Sequence, residues 1–468
     1  MALNMFLQLQ SLAAFANQPF IVRGWMFFVA SRLWMVCVSF LLDYSLFMLL
    51  QRAQSKAALQ HMVMFASSWP VVVLCARPFS NTVEAVAVAL VLALVTSKGS
   101  SRPGTCCAIA VCAVVGVWIR VTTVAFLAPS ALHHLVKLLK AGQPALVVLN
   151  IAAVVIVAAA LVLVDTRFYG GDSLHHNGTG HILTPWNLFV YNSNTSNLAT
   201  HGLHPRVTHA VANMPMLMTA ALPLLYRRVA LSLWRLASGR LSWLHLDALL
   251  ASTIVVGIMA LSLFPHQEPR FLLPLLVPAF ALLSPTSFPS SSRMRSIWAV
   301  CNVALFLFWG CLHQAALLPV LFSLSAGDNA CAIAVAGTYS APAAAVASCA
   351  SIGQCSSVPV ASLEGASVKQ IDARVQAALL HRCVFIAAPA SHPLCVNAAP
   401  ETAVLCLTSW QVGSLLDCEA HLRGAVDILV APHFYRVRRC LLFLSGCWRH
   451  SCLSVAGFSP TCMIGYRR

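Results

Sequence analysis

The chain has 468 residues, 59% of them hydrophobic and 9% charged, and its mean hydropathy is +0.80. That balance excludes a water-soluble globular fold and marks an integral membrane protein. A formal net charge of +16 does not point to nucleic acid, because the basic residues are spread over short loops with no Lys/Arg block or finger motif among them.

The opening MALNMFLQLQSLAAFANQPF has no basic leader and no clean cleavage site, so it does not read as a secretory signal. Apolar stretches follow at residues 24–50, 59–76, 83–95 and 105–127, then at 145–164, 211–226, 246–263, 271–283 and 297–322. The clearest is ALVVLNIAAVVIVAAALVLV, residues 145–164, whose only polar side chain is Asn150 and whose length suits a ~30 Å hydrocarbon core. Together they predict an α-helical polytopic membrane protein with about eight to ten membrane helices, the short or Pro-bearing stretches being candidates for re-entrant segments.

Arg227, Arg228, Arg235 and Arg240 read as one cytoplasmic loop, and Arg293 with Arg295 as another. The loop 165–209, the turn HQEPRF (266–271) and the region after 322 then fall on the lumenal face, and sequons at Asn177 and Asn194 agree with that side. Counting back from Asp165 puts Lys98 and Arg102 on the lumenal face unless 105–127 is a re-entrant hairpin, so that stretch stays unassigned.

After residue 322 the sequence becomes small and weakly patterned, with strand-like runs at 383–387, 403–407 and 426–430. Residues 1–322 therefore read as the membrane domain, and 323–468 as a C-terminal lumenal domain with α/β character. Eleven of the 18 cysteines lie in this second part, where an oxidising lumen permits disulfides but an odd number leaves one unpaired. The cluster Cys447, His450 and Cys452 lacks the second ligand pair that a zinc site needs.

Only 13 acids occur, and each one in or beside a bilayer needs a partner or a purpose. Asp43 reads as an ion-pair partner of Arg32 or Arg52, Glu84 as the dipole acid of a helix capped by Asn81 or Thr82, and Asp247 as a capping acid. Asp165 closes the clearest span. The segment after it mixes Trp186, Tyr191, His204, Arg206 and His209, a composition suited to stacking on sugars and holding phosphate. In HQEPRF, Pro269 and Glu268 suit a helix start, which accounts for neither His266 nor Arg270. A cationic pair at head-group level suits a lipid phosphate, and on these grounds a structural turn and a phosphate site stand equally open.

Taken together, HQEPRF, RPFSNTVE (77–84) and DTRFYG (165–170) resemble segments of the dolichyl-phosphate-mannose-dependent α-mannosyltransferases of the endoplasmic reticulum, polytopic enzymes of glycosyltransferase family 22 with the GT-C fold. The resemblance runs along residues 24–322. Gln267, Pro269 and NLATHGLHPRVTH (197–209) are most similar to members that act on glycosylphosphatidylinositol (GPI) precursors at the fourth mannose. Members acting at the third GPI mannose or on the lipid-linked N-glycan precursor are the neighbouring readings.

The resemblance implies inverting transfer of mannose from dolichyl-phosphate-mannose to a trimannosyl GPI precursor, in α1,2 linkage, on the lumenal face, with no cofactor and no metal. By the same resemblance His266 and Arg270 hold the donor phosphate and Glu268 orients Arg270. His204, Arg206 and His209 supply further substrate contacts, and Arg77, Glu84 and Asp165 belong to the other matched segments. The family's paired-acid motif, typically His-Pro-Asp-Glu in the first lumenal loop, has no counterpart here; the first acid is Asp43. The chain is thus expected to begin after that loop, and no residue is assigned as catalytic base. An inactive lipid-binding relative and an unrelated transporter remain alternatives, although a transporter predicts internal repeats and more intramembrane charges than Asp43.

Overall fold

The computed structural model of the chain describes residues 20–55, 57–177, 181–199, 202–283 and 292–312, together with four strands further on. The runs expected at 426–430 and the cysteines after 322 lie outside the described residues, apart from Cys406 in a strand. Two compact units form: residues 31–198 with 203–306, and a unit that holds the strands.

The first unit is helical. Its elements are α1 (Phe20–Arg52), α2 (Ala58–Ala66), α3 (Ser80–Thr96), α4 (Pro103–Ile119), α5 (Thr123–Lys140), α6 (Pro144–Asn177), α7 (Thr184–Ser193), α8 (Leu222–Ala237), α9 (Leu246–Ser262), α10 (Leu276–Leu283) and α11 (Ser292–Phe306). Among the described residues, four helical stretches are long and apolar enough to cross a membrane: Val29–Arg52, Pro144–Tyr169, His209–Ala237 and Ser292–Cys311. Four shorter apolar ones accompany them, Ser80–Thr96, Pro103–Ile119, Leu246–Ser262 and Pro269–Leu283.

All of α10 is buried, as is most of α3, so these two form the centre. Phe280 of α10 meets Phe65 edge-on at 5.3 Å and Trp298 of α11 at 6.0 Å. The membrane-length window of α6 has no buried residue, which fits an outer helix whose Val and Ile side chains face lipid. Small residues set the closest approaches. A Cβ at Gly116 would stand 2.9 Å from Ala87 Cβ and from Thr123 Cγ2, so only glycine lets α4 lie this near α3 and the start of α5.

Three stretches complete or change the sequence reading. First, the run 105–127, left unassigned there, breaks at Arg120–Thr122, and α5 turns back along α3 and α9. The polar residues His133, His134, Lys137 and Lys140 hid this helix from a hydropathy reading. Its return brings Lys137 to the turn that holds Lys98 and Arg102, where its Nζ donates to the carbonyls of Val95 (3.2 Å) and Ser97 (3.4 Å). Secondly, Arg227, Arg228 and Arg235 lie on α8 rather than in a loop, because Leu225, Val229 and Ser232 supply a buried face that keeps the helix packed. Only Arg240 lies in the turn beyond it. Gly239, at φ +69°, reverses the chain there, with Arg240 N–H donating to Arg235 O at 2.8 Å. Thirdly, the segment after Asp165 stays helical to Asn177 and then carries α7.

Asp247 sits in the first turn of α9 as expected, with its N–H donating to His245 Nδ1, and pairs with Arg228 at 2.7 Å. Asp43 is half-buried in α1 and, among the described residues, forms an ion pair with neither Arg32 nor Arg52.

In the second unit, β1 (Ala332–Val335), β2 (Val360–Ser362), β3 (Val384–Pro389) and β4 (Val404–Leu407) pair in parallel in the order β2-β1-β3-β4. The last two match the runs expected at 383–387 and 403–407. Parallel neighbours need crossover connections.

Candidate functional site

One end of the first unit gathers two buried carboxylates, each under an arginine. Glu84, on the first turns of α3, is fully buried. Such a charge is costly unless several donors meet it, and three do: Arg120 Nε stands 3.0 Å from Oε2, while the hydroxyls of Thr122 and Thr123 donate to Oε1 at 2.6 and 3.2 Å. The break between α4 and α5 exists where this arginine turns inward to the acid. Glu84 is therefore an ion-pair partner rather than a dipole acid. The position before α3 is Phe79, and neither Asn81 nor Thr82 caps the helix.

Glu268 is the second carboxylate. It accepts from His266 Nε2 at 2.8 Å and from Arg270 Nη2 at 2.9 Å, both at Oε1, and Arg270 Nε lies 2.6 Å from Oε2. Burial would raise this carboxyl, but the His266 hydrogen bond and the charge of Arg270 outweigh it and hold the group at about 2. Glu268 occupies the N-cap position of a short 3-10 helix, Pro269–Leu275, without capping it, because its side chain is committed to His266 and Arg270.

Phe271 joins the two pairs. Arg120 lies 5.2 Å from its ring centre and Arg270 5.8 Å, and Arg270 also stands 5.2 Å from the ring of Phe79. Arg120 Nη1 reaches Ser80 Oγ at 3.3 Å. The carboxylates are buried, while both arginine side chains keep about a quarter of their surface open, 23% and 26%. Negative charge faces inward and guanidinium outward.

The segment 204–209 is clipped to the same turn by Gln267. This fully buried amide uses both ends: its Nε2 donates to the carbonyls of Arg206 (3.0 Å) and Phe264 (3.2 Å), and its Oε1 accepts from His209 N–H at 2.8 Å. His204 N–H donates to Pro265 O at 2.7 Å, and its ring stands 5.9 Å from that of His266. Arg206 Nη1 bonds Leu263 O. His209 is fully buried, its ring against Asn213.

Of the residues picked from sequence, His204, Arg206, His209, His266, Glu268 and Arg270 thus come together, and Glu84 joins them through Arg120. Asp165 lies one step away. Its Oδ2 accepts from Trp118 Nε1 at 2.6 Å and from Thr184 Oγ1, fastening α6 and α7 to the end of α4 that carries Arg120. Arg77 is half-buried ahead of α3, where its carbonyl accepts from Phe79 N–H at 2.7 Å. Arg120, Thr122, Thr123, Trp118 and Phe79 were not picked. A lone arginine in an apolar run is the signal that marks Arg120.

Fold and site define a polytopic helical membrane protein with a cationic, aromatic-lined cluster at one end of its bundle. The profile of the Alg9-like mannosyltransferase family matches residues 4–359, and the chain belongs to that family. A relative named GPI mannosyltransferase 4 from Aspergillus oryzae is 34% identical over 293 residues, covering 60% of this chain and 51% of its own length. A protein of the same name from Schizosaccharomyces pombe is 29% identical over 307 residues, 63% and 52% of the two chains. The human protein named GPI alpha-1,2-mannosyltransferase 4 is 31% identical over 331 residues, 65% and 56%. The chain spans about half the length of the curated relatives it matches. No solved structure matches it.

Proposed function

We propose that the chain transfers mannose from dolichyl-phosphate-mannose to a GPI-anchor precursor, adding the fourth mannose in α1,2 linkage on the lumenal face of the endoplasmic reticulum. The observation that carries this reading is the pair of arginines over Phe271, each backed by a buried carboxylate. In such a transfer the bond between mannose C1 and the phosphate oxygen breaks, and the acceptor hydroxyl oxygen bonds to C1 from the opposite face. The hydroxyl proton passes to a base, and dolichyl phosphate leaves with the negative charge. Arg270, His266 and Arg120 receive that charge, while Glu84 and Glu268 fix the cations in place. Glu268 does not serve as the base: held at about 2, it has little affinity for a proton, and its oxygens are already engaged by His266 and Arg270. The segment His204–His209, clipped by Gln267, forms one rim of the site.

The test uses microsomes from cells that lack their own fourth-mannose activity and express this chain, supplied with dolichyl-phosphate-mannose and a trimannosyl GPI acceptor. The expected product carries one further mannose that an α1,2-mannosidase removes. Arg270→Ala should lower its rate about 10²- to 10³-fold, the loss typical of one charge-stabilising donor, with membrane integration unchanged. Extension of a dimannosyl acceptor instead would move the chain to the third-mannose role. Full transfer by Arg270→Ala would reduce HQEPRF to a structural turn.

A further inference from the structure

The opposite end of the bundle holds a second feature that the proposed transfer does not use. Between α5 and the turn joining α8 to α9 lies a cavity of about 500 Å³, lined on its apolar side by Leu132, Val136, Leu236 and Leu244 and on its polar side by His133 and Lys140. His133 is buried, its ring already hydrogen-bonds the backbone of Trp243, and only its Nδ1 has no hydrogen-bond partner among the described residues. A buried imidazole nitrogen without a partner is uncommon in a finished core and is satisfied when a polar group enters the space beside it.

The surroundings fix the sign of that group. Residues 97–142 and 227–246 contain no Asp or Glu. The nearest acid along the turn, Asp247, is already paired with Arg228 at 2.7 Å. Lys140 lines the cavity and is exposed, Lys137 lies one turn before it on α5, and Arg240 sits between the lining residues Gly239 and Leu241. Two tryptophans flank the turn with more than half their surface open, Trp234 at 53% and Trp243 at 59%, and Arg240 lies over the Trp234 ring at 4.9 Å. Exposed tryptophan beside lysine and arginine at a helix end is the arrangement found at lipid head-group level, where basic pockets between helices hold anionic head groups. A Cβ added at Gly239 would meet nothing within 4 Å, so the cavity is open along this edge.

We propose that this cavity binds an anionic glycerophospholipid of the surrounding leaflet, its acyl chain against Leu132, Val136 and Leu236 and its phosphate held by Lys140, with His133 as the inner polar contact. The site lies at the far end of α5 from Arg120, so it is separate from the donor site and does not depend on the activity proposed above.

The full chain, purified in detergent and stripped of lipid, is offered dioleoylphosphatidylserine or dioleoylphosphatidylcholine, and the lipid retained is counted by native mass spectrometry. The unmodified chain should retain phosphatidylserine in preference to phosphatidylcholine. Lys140→Gln should lower phosphatidylserine retention about fivefold, the effect of one basic residue at a charged membrane surface, and leave phosphatidylcholine unchanged. Leu244→Trp, which fills the cavity, should lower both. Equal retention of the two lipids by the unmodified chain overturns the proposal, as does a phosphatidylserine preference that survives Lys140→Gln. That lysine is exposed, so its variant decides the matter even if Leu244→Trp does not fold.

Discussion

Glu268 shows how a single carboxylate acts through what surrounds it. Because its folded value lies near 2, below the ~4.3 of an unfolded glutamate, its ionised form contributes stability at every pH above about 4. That contribution fades as pH falls through about 2. Glu268→Gln, which leaves Arg270 and His266 with a neutral partner, should therefore lower the melting temperature in detergent throughout pH 8 to pH 5, and the gap should close only in strong acid. A gap that closed near neutrality would mean that another group, not Glu268, sets it. Arg270→Lys offers a second check at this scale: an ammonium cannot keep the two-pronged contact with Glu268 while lying over Phe79 and Phe271. It should restore charge yet recover only a minor part of the transfer lost in Arg270→Ala.

Between elements, the site depends on two kinds of contact, a buried amide and buried glycines. Removing the Gln267 side chain leaves His209 N–H and the carbonyls of Arg206 and Phe264 without it, at about 1–3 kcal/mol for each buried group left unpaired. Gln267→Ala is thus expected to destabilise the chain in denaturant and loosen 204–209, seen as faster proteolysis within that segment. Gly257 of α9 faces the buried ring of Phe126 on α5, where a new Cβ would stand 2.6 Å from one ring carbon and 3.1 Å from Leu275. Gly257→Ala should cost about 1–3 kcal/mol through overpacking, and Phe126→Leu in the same chain should return part of it. Thermal denaturation of the single and double variants reads this directly; equal melting points for the chain and Gly257→Ala would show that the helices can part without cost.

For the molecule as a whole, charge is divided by end. The turn with Lys98 and Arg102, the end of α5 with Lys137 and Lys140, and the turn after α8 with Arg240 lie together, opposite the Arg120 and Arg270 cluster. On the proposed function, the positive-inside tendency predicts that the cluster faces the lumen. Asn194 is exposed, and its Oδ1 accepts from Ser196 N–H at 3.0 Å and from its hydroxyl at 2.6 Å. In sealed microsomes Asn194 should carry an endoglycosidase-sensitive glycan, while a cysteine placed by Arg240→Cys should react with an impermeant maleimide from outside. Reaction only after detergent would reverse the orientation and the proposed lumenal chemistry with it.

By itself the sequence determined the membrane class, the position of most helices and the segments that build the site, because apolar length and motif residues are local properties. HQEPRF and RPFSNTVE were legible in this way, and so was the choice of Glu84, Glu268 and Arg270. What they do to one another was not. That Glu84 belongs to Arg120, that Phe271 joins two arginines, and that Gln267 rather than a histidine organises 204–209 depends on contacts between residues roughly 40 to 150 positions apart. The break at Arg120 was hidden for the same reason: hydropathy averages a lone charge into its apolar neighbours, and only the packed bundle supplies the buried acid that turns it inward.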